Sequence, residues 1–406
     1  MKPWYLTTAI DYANGDPHLG HALEKIGADV IARWHRLRGE PVRFLMGMDE
    51  HGQKVFQSAQ AAGQSPQAWV DQISAHFEGT WRSLHCSHDD WMRTTEARHA
   101  TGVRALLERI RERHPDDLFV GEYEGLYCVG CEEFKQEGQL VDGRCPEHPS
   151  RDLVPTRERN TFFRLSAYRD RVLALVEANE AFSVEPQIRR NEILSTLREG
   201  LQDISISRAR LPWGIPFPGT EDETVYVWFD ALINYLSATG FPDAGWDDIW
   251  PADLHVVGKG ITRFHCIIWP AMLMAAELPL PKAIWAHGYV QWGGAKVSKS
   301  EGSAVSIEEA AARHGADALR WFLMREVGFE NDGDFTFDRF DAVYESELAN
   351  GIGNLASRVT AMVEKYRAGV VPSIEAADLP NTAGAEAVAR YAMAMEQLDL
   401  KGAAKQ

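Results

Sequence analysis

The stretch Trp4-Tyr5-Leu6-Thr7-Thr8, with His18-Leu19-Gly20-His21 beginning ten residues beyond it, decides how the chain starts to fold. Residues 4–8 are apolar or β-branched, and Leu23, Ile26, Val30, Trp34 and Leu37 then recur at helical spacing. The segment therefore reads as strand, turn and helix. Both imidazoles fall at the N-terminus of that helix. Unpaired amides and the positive end of the helix dipole favour phosphate there, and two donors three residues apart would tighten the grip as charge builds up in a transition state. Far downstream, Lys296-Val297-Ser298-Lys299-Ser300 offers two lysines separated by small residues, suited to gripping the same anion from the other side.

Val42 to Met48 predicts a second strand that runs into Gly47-Met48-Asp49-Glu50-His51-Gly52. Leu254 to Gly258 and Ala283 to Gly288 predict buried strands ending at glycines, with a helix pattern over Phe264 to Ala276 between them. The simplest account is a doubly wound, parallel, Rossmann-like α/β sheet split by an insertion. The expected divisions are 1–115 and 223–290 for the two halves of the sheet domain and 116–222 for the insertion. Residues 291–342 carry the lysine loop, and 343–406 turn helical, with Leu348, Ile352, Leu355, Val359 and Tyr366 marking an apolar face. Ligands of such sheets bind beyond the carboxyl ends of the strands, and Tyr12, Asp49 and His287 all fall at predicted strand ends.

Composition suits a large globular enzyme rather than a disordered chain: 406 residues, 45% hydrophobic and 25% charged, enough for two to four domains. The longest apolar stretch, Ile267 to Ala276, holds Pro270 and falls well short of the roughly 18 residues of a membrane span. Residues 1–5 form no continuous apolar core of a signal peptide, so the expected compartment is the cytoplasm. A net charge of −17 argues against a surface uniformly attractive to nucleic acid. The local cluster Arg104, Arg109, Arg111 and Arg113 reads first as a solvated helix face.

The cysteines sort by spacing. Cys128-Val-Gly-Cys131 and Cys145-Pro-Glu-His148 form two ligand pairs, with thirteen residues between Cys131 and Cys145. Three thiolates and one imidazole on two short knuckles predict a closed, tetrahedral, structural zinc site. Disulfides or unligated thiols are the alternative, which a reducing compartment disfavours. Cys86 and Cys266 stand alone and read as core residues.

The His18-Leu19-Gly20-His21 and Lys296-Val297-Ser298-Lys299-Ser300 elements resemble the two signatures of the class I aminoacyl-tRNA synthetases. Within that group the chain is similar to the methionyl-tRNA synthetase family. Asp11-Tyr12-Ala13-Asn14-Gly15, Gly47 to Gly52, Val225-Tyr226-Val227-Trp228-Phe229-Asp230-Ala231 and Trp269-Pro270-Ala271-Met272-Leu273 carry the likeness, which extends from residue 4 to about 366. It implies activation of L-methionine by ATP, entering with Mg2+, followed by transfer to tRNA(Met). The carboxylate attacks the α-phosphate in line, pyrophosphate leaves, and no protein nucleophile is needed. By match to the signatures, His18, Gly20, His21, Lys296, Ser298 and Lys299 would bind ATP. His18, His21 and Lys299, with Lys296 assisting, would stabilise the transferring charge. Asp49 matches the position that holds the substrate ammonium. Ile10, Tyr12, Trp228, Ala231, Leu232, Tyr235 and His287 match those around the side chain, and a polarizable thioether packs well against aromatic rings.

Two departures accompany the likeness. Gly260 stands where the family often has an acidic residue after Gly258-Lys259. Asn354 and Arg358, four residues apart on one helix face, match the pair that reads the anticodon, yet the sequence stops at Gln406, where a next long helix begins. Most of the anticodon-binding bundle is thus expected to be missing, and the chain is expected to be a monomer. Two other readings stand beside this one: a class I synthetase for leucine, isoleucine or valine, disfavoured by an insertion of about a hundred residues with one knuckle, and a non-catalytic tRNA-binding paralogue that keeps the fold and its zinc module.

Overall fold

The computed structural model describes residues 2–128, 130, 133–135, 140–146, 148–149, 152–209, 211–220, 222–293, 295–296, 306–371, 373 and 383–406. Among them seven strands form one sheet in the order Asp11–Tyr12, Val42–Asp49, Trp4–Thr8, Leu254–Gly258, Ala283–His287 and Ser183–Glu185, with Asp90–Arg93 also on Val42–Asp49. Trp4–Thr8 pairs in parallel with both of its neighbours, and the remaining registers assigned in this sheet are parallel too. This is the α/β sheet expected from the sequence. Its inner strands are mostly apolar and buried along nearly their whole length, as strands covered on both faces are: four of the five residues in each of Trp4–Thr8, Leu254–Gly258 and Ala283–His287 are buried. Strand order reverses between Trp4–Thr8 and Leu254–Gly258, so their carboxyl ends flank the crevice where such folds bind ligands.

By contacts the chain divides into two compact units, one of Met1–Asp16, His35–Gly79 and Ser87–Ala286, the other of Pro17–Trp34, Thr80–Cys86 and His287–Gln406. The first holds the parallel sheet. Its core runs from Tyr5 and Leu45 through Phe163 and Phe229 to Trp269. The same unit contains a four-stranded sheet, ordered Glu133–Lys135, Leu118–Cys128, Val154–Phe163 and Ile204–Ser205, whose long central pair is antiparallel. Within the expected insertion, Ser183–Glu185 stands apart from that sheet and adds a parallel strand beside Ala283–His287.

In the second unit, the helix Leu19–Leu37 contributes residues 19–34. Buried Asp29 there accepts hydrogen bonds from Arg33 at 2.7 Å and Arg320 at 2.6 Å, so its charge is paired rather than stranded. A Cβ at Gly27 would stand 1.9 Å from the ring of Phe329, so only glycine fits against that ring. Phe322, Phe335 and Phe340 pack edge to face or tilted nearby in sequence. The helical stripe at Ile352, Leu355, Val359 and Tyr366 is present in the helices Tyr344–Gly353 and Asn354–Arg367, but these side chains are solvent-exposed. Among the described residues no helix is long and apolar enough to cross a membrane.

Candidate active site

His18 precedes the helix Leu19–Leu37, and its carbonyl accepts the Ala22 amide in the first helical hydrogen bond. The Gly20 amide donates to His18 Nδ1 at 3.1 Å, the bond an N-cap side chain makes, and the His18 amide donates to His21 Nδ1 at 3.2 Å. Accepting at Nδ1 fixes the tautomer of both neutral rings: the proton sits on Nε2. The rings stack 3.7 Å apart at 23°, at the start of the helix Leu19–Leu37. That arrangement suits an oxyanion-rich ligand. Lys296 lies in the strand Ala295–Lys296, while Ser298 and Lys299 lie outside the described residues.

His287, in the same unit, keeps other company. Its Nδ1 donates to the Gly288 carbonyl at 2.7 Å, its Nε2 lies 3.0 Å from Glu24 Oε2, and Phe329 meets its ring edge-on. Burial opposes the charge of Glu24, but Lys25 at 2.8 Å and His287 outweigh it and hold the carboxyl below its ordinary range.

The remaining residues matched to an amino acid site belong to the unit with the parallel sheet. Asp49 closes the strand Val42–Asp49 in register with Tyr12, and its carbonyl accepts the Ala13 amide at 2.9 Å. Its Oδ1 is buried. Trp228 and Ala231 lie on the helix Val227–Leu232, and Tyr235 starts one residue into the next, Asn234–Ser237. Ile10, Tyr12, Asp49, Trp228 and Ala231 are half-buried, whereas Leu232 and Tyr235 are buried. Trp228 stacks on Phe264 at 4.1 Å.

The structure adds a histidine that the strand-end reasoning passed over. Tyr235 Oη lies 2.7 Å from His265 Nε2, and His265 Nδ1 lies 3.0 Å from the Ile261 carbonyl. A carbonyl only accepts, so Nδ1 carries the proton of the neutral ring and the Tyr235 hydroxyl donates to Nε2. Behind Tyr235, buried His255 sits 4.4 Å away, bonded through Nδ1 to Thr7 Oγ1. Burial and the neighbouring His265 push its pKa well below the ordinary histidine value. Tyr235, His255 and His265 thus form one cluster of buried rings, in the same unit as the helix that carries Trp228 and Ala231.

At the end of the strand Leu118–Cys128, one ligand atom each of Cys128, Cys145 and His148 lies within 4.8 Å of the others, with both cysteines buried. Cys128 Sγ stands 3.8 Å from His148 Nδ1, close to the roughly 3.5 Å edge that bond lengths of about 2.3 and 2.0 Å imply for a zinc tetrahedron. The His148 amide donates to the Cys145 carbonyl, closing the second knuckle. A Cβ at Gly130 would fall 2.5 Å from the His148 ring, so the first knuckle needs glycine there. The donor set fits a metal, and Cys131, the expected fourth ligand, lies outside the described residues. None of the described cysteines forms a disulfide. Burial pushes the Cys86 thiol up to about 12 and that of Cys266 higher, as for core residues. Half-buried Asn354 and exposed Arg358 share one helix face, Arg358 Nε donating to Asn354 Oδ1 at 2.9 Å.

These features can be set beside known proteins. The family model described as tRNA synthetases class I (M) matches residues 4–153 and 150–360. The chain is 45% identical over 386 residues to the methionine–tRNA ligase of Streptomyces coelicolor, covering 92% of this chain and 71% of the relative. The methionine–tRNA ligase of Thermotoga maritima is also 45% identical, over 91% of this chain and 59% of its own length. Methionyl-tRNA synthetase of Mycobacterium tuberculosis in complex with methionyl-adenylate superposes with a TM-score of 0.92 at 41% identity, covering all of this chain and 80% of that one. Its apo form gives 0.83 at 37%. This chain belongs to the class I tRNA synthetases, in their methionyl branch.

Proposed function

We propose that this chain activates L-methionine with ATP to methionyl-adenylate and transfers the methionyl group to tRNA(Met). The observation that carries the reading is the stacked His18 and His21 pair, whose hydrogen bonds leave the proton of each ring on Nε2 at a helix N-terminus, in a chain of the methionyl family. In the reaction the methionine carboxylate attacks the α-phosphate and the bond to pyrophosphate breaks. The residues' task is to hold charge. His18 and His21 donate to phosphate oxygens, Lys296 and Lys299 balance the leaving pyrophosphate, and Gly20 and Ser298 complete the ATP contacts. Asp49 holds the ammonium. Ile10, Tyr12, Trp228, Ala231, Leu232 and Tyr235 enclose the thioether, with His265 buttressing Tyr235. Selection against branched or shorter side chains rests on shape, at about 1 to 3 kcal/mol per methylene. Asn354 and Arg358 are proposed to meet anticodon bases. ATP–pyrophosphate exchange assayed with each of the twenty amino acids tests this. Exchange driven by methionine alone is expected. Exchange driven by leucine, isoleucine or valine would make it a synthetase of another specificity, and none at all would favour a non-catalytic paralogue.

The knuckle residues Cys128, Cys131, Cys145 and His148 are proposed to hold one structural zinc. Metal analysis of protein purified without added zinc is expected to give about one ion per chain, and Cys145→Ser to lower that figure. Because four protein ligands close the site, chelation is expected to unfold the small sheet before it touches pyrophosphate exchange. Zinc-free protein with unchanged thermal unfolding would remove the assignment.

A further inference from the structure

Asp230 is fully buried, and both of its carboxylate oxygens are taken by imidazoles. His51 Nδ1 lies 2.6 Å from Oδ2 and His99 Nε2 lies 2.6 Å from Oδ1. The other nitrogen of His99 is 2.8 Å from Ser237 Oγ. Burial alone would raise the Asp230 pKa, but the two imidazoles attract and hydrogen-bond the carboxylate strongly enough to hold it down to about 2. A charged, doubly bonded carboxylate in such a place is costly to assemble and strongly destabilising to break.

Its position in the chain matters more than its stability. His51 follows Asp49 by two residues, while Trp228 and Ala231 lie two residues before and one after Asp230 on the helix Val227–Leu232. The loop between is pinned again at Glu50: its amide donates to Thr94 Oγ1 at 2.9 Å, its carboxylate accepts from Arg93 at 2.7 Å and from Thr95, and its carbonyl accepts from Trp213 Nε1 at 2.6 Å. The bond from His51 to Asp230 joins this loop to the helix that carries Trp228. His99, on the helix Ala97–Arg113, holds the far oxygen so that the carboxylate plane cannot turn. We propose that Asp230, clamped between His51 and His99, is a positioning residue that fixes the distance from the ammonium-binding Asp49 to the side-chain platform of Trp228 and Ala231, and so sets the affinity and selectivity for methionine. The inference rests on the assignment of this site to methionine. A misplacement near 1 Å in such a pair can cost on the order of 10²-fold.

His99 is the cleanest handle, because it sits on the far side of Asp230 from the loop. In pyrophosphate exchange with methionine and ATP titrated separately, His99→Leu is expected to raise the methionine KM by about tenfold, with kcat and the ATP KM within about twofold. His99→Gln, whose amide reaches the place of Nε2–H, is expected to recover most of the loss. The same contrast is expected between His51→Leu and His51→Asn, since the asparagine amide matches Nδ1–H. A structural role alone would lower kcat, active fraction and melting temperature together, with the methionine KM unmoved and no recovery in the amide variants. Either of those results would overturn the proposal. If the leucine variants do not fold, Asp230→Asn, equal in volume, decides: a raised methionine KM supports the clamp and an unchanged one refutes it. Failure of the unmodified chain to use methionine would strike the functional assignment instead.

Discussion

His21→Ala is expected to slow methionyl-adenylate formation by about 10²- to 10³-fold, the loss of about 3 to 4 kcal/mol typical of removing one preorganised donor from a developing oxyanion. Methionine affinity is expected to stay within about threefold, because the imidazole donates to phosphate and not to the amino acid. The physical basis is the tautomer. The His18 amide donates to His21 Nδ1 at 3.2 Å, so the ring is locked with its proton on Nε2 and costs nothing to reorient as negative charge accumulates. His21→Gln, which can offer an amide N–H near the Nε2 position, is expected to retain more activity than the alanine variant. His18→Ala is expected to show the same kinetic loss with an added cost of about 1 kcal/mol in stability, since its ring also accepts the Gly20 amide as a helix cap. Lys299→Ala is expected to follow His21→Ala, through the departing pyrophosphate. Single-turnover adenylate formation, with methionine and ATP affinities measured separately, checks this. A near-normal rate accompanied by weakened ATP binding would show that the imidazole only binds the ground state.

Local signals made much of this molecule legible. The strand at residues 4–8, the turn to His18 and the helix after it follow from an apolar, β-branched run and a helical period in one short window, and Val42–Asp49, Leu254–Gly258 and Ala283–His287 stand out because strands covered on both faces are mostly apolar. The group of Cys128, Cys145 and His148 was legible because ligand spacing is itself local. Contacts across the chain were harder to foresee. His265 was overlooked because it sits in the helical turn Phe264–Ile268 rather than at a strand end, and its partner Tyr235 is thirty residues away. The usable signal was its place, just past the strand end at Gly258 where strand order reverses. His99 meets Asp230 across 131 residues, and no periodicity marks such a pair. The stripe from Ile352 to Tyr366 was recognisable as a helix face, yet spacing cannot say whether a face is covered, and here it is exposed.

Asp49→Ala is expected to raise the methionine KM by about 10²-fold while kcat at saturation changes little, since a carboxylate–ammonium contact is made equally in ground and transition states. The size follows from what is left behind. An ammonium desolvated beside the aromatic faces of Tyr12 and Trp228 would lose its only proposed counter-charge, and stranding a charged group of this kind costs about 3 kcal/mol. Asp49→Asn keeps the shape of the strand end and one acceptor, so it is expected to fall between the parent and the alanine variant. Two inhibitors separate the ammonium from everything else. Methioninol keeps the ammonium and lacks the carboxylate, so its inhibition constant is expected to rise with that of methionine in Asp49→Ala. 4-(Methylthio)butyrate keeps the thioether and carboxylate but lacks the ammonium, and its inhibition constant is expected to be the same in the parent and the variant. Equal weakening of both inhibitors would mean that Asp49 shapes the site through the strand end at Tyr12 and Ala13 rather than by charge.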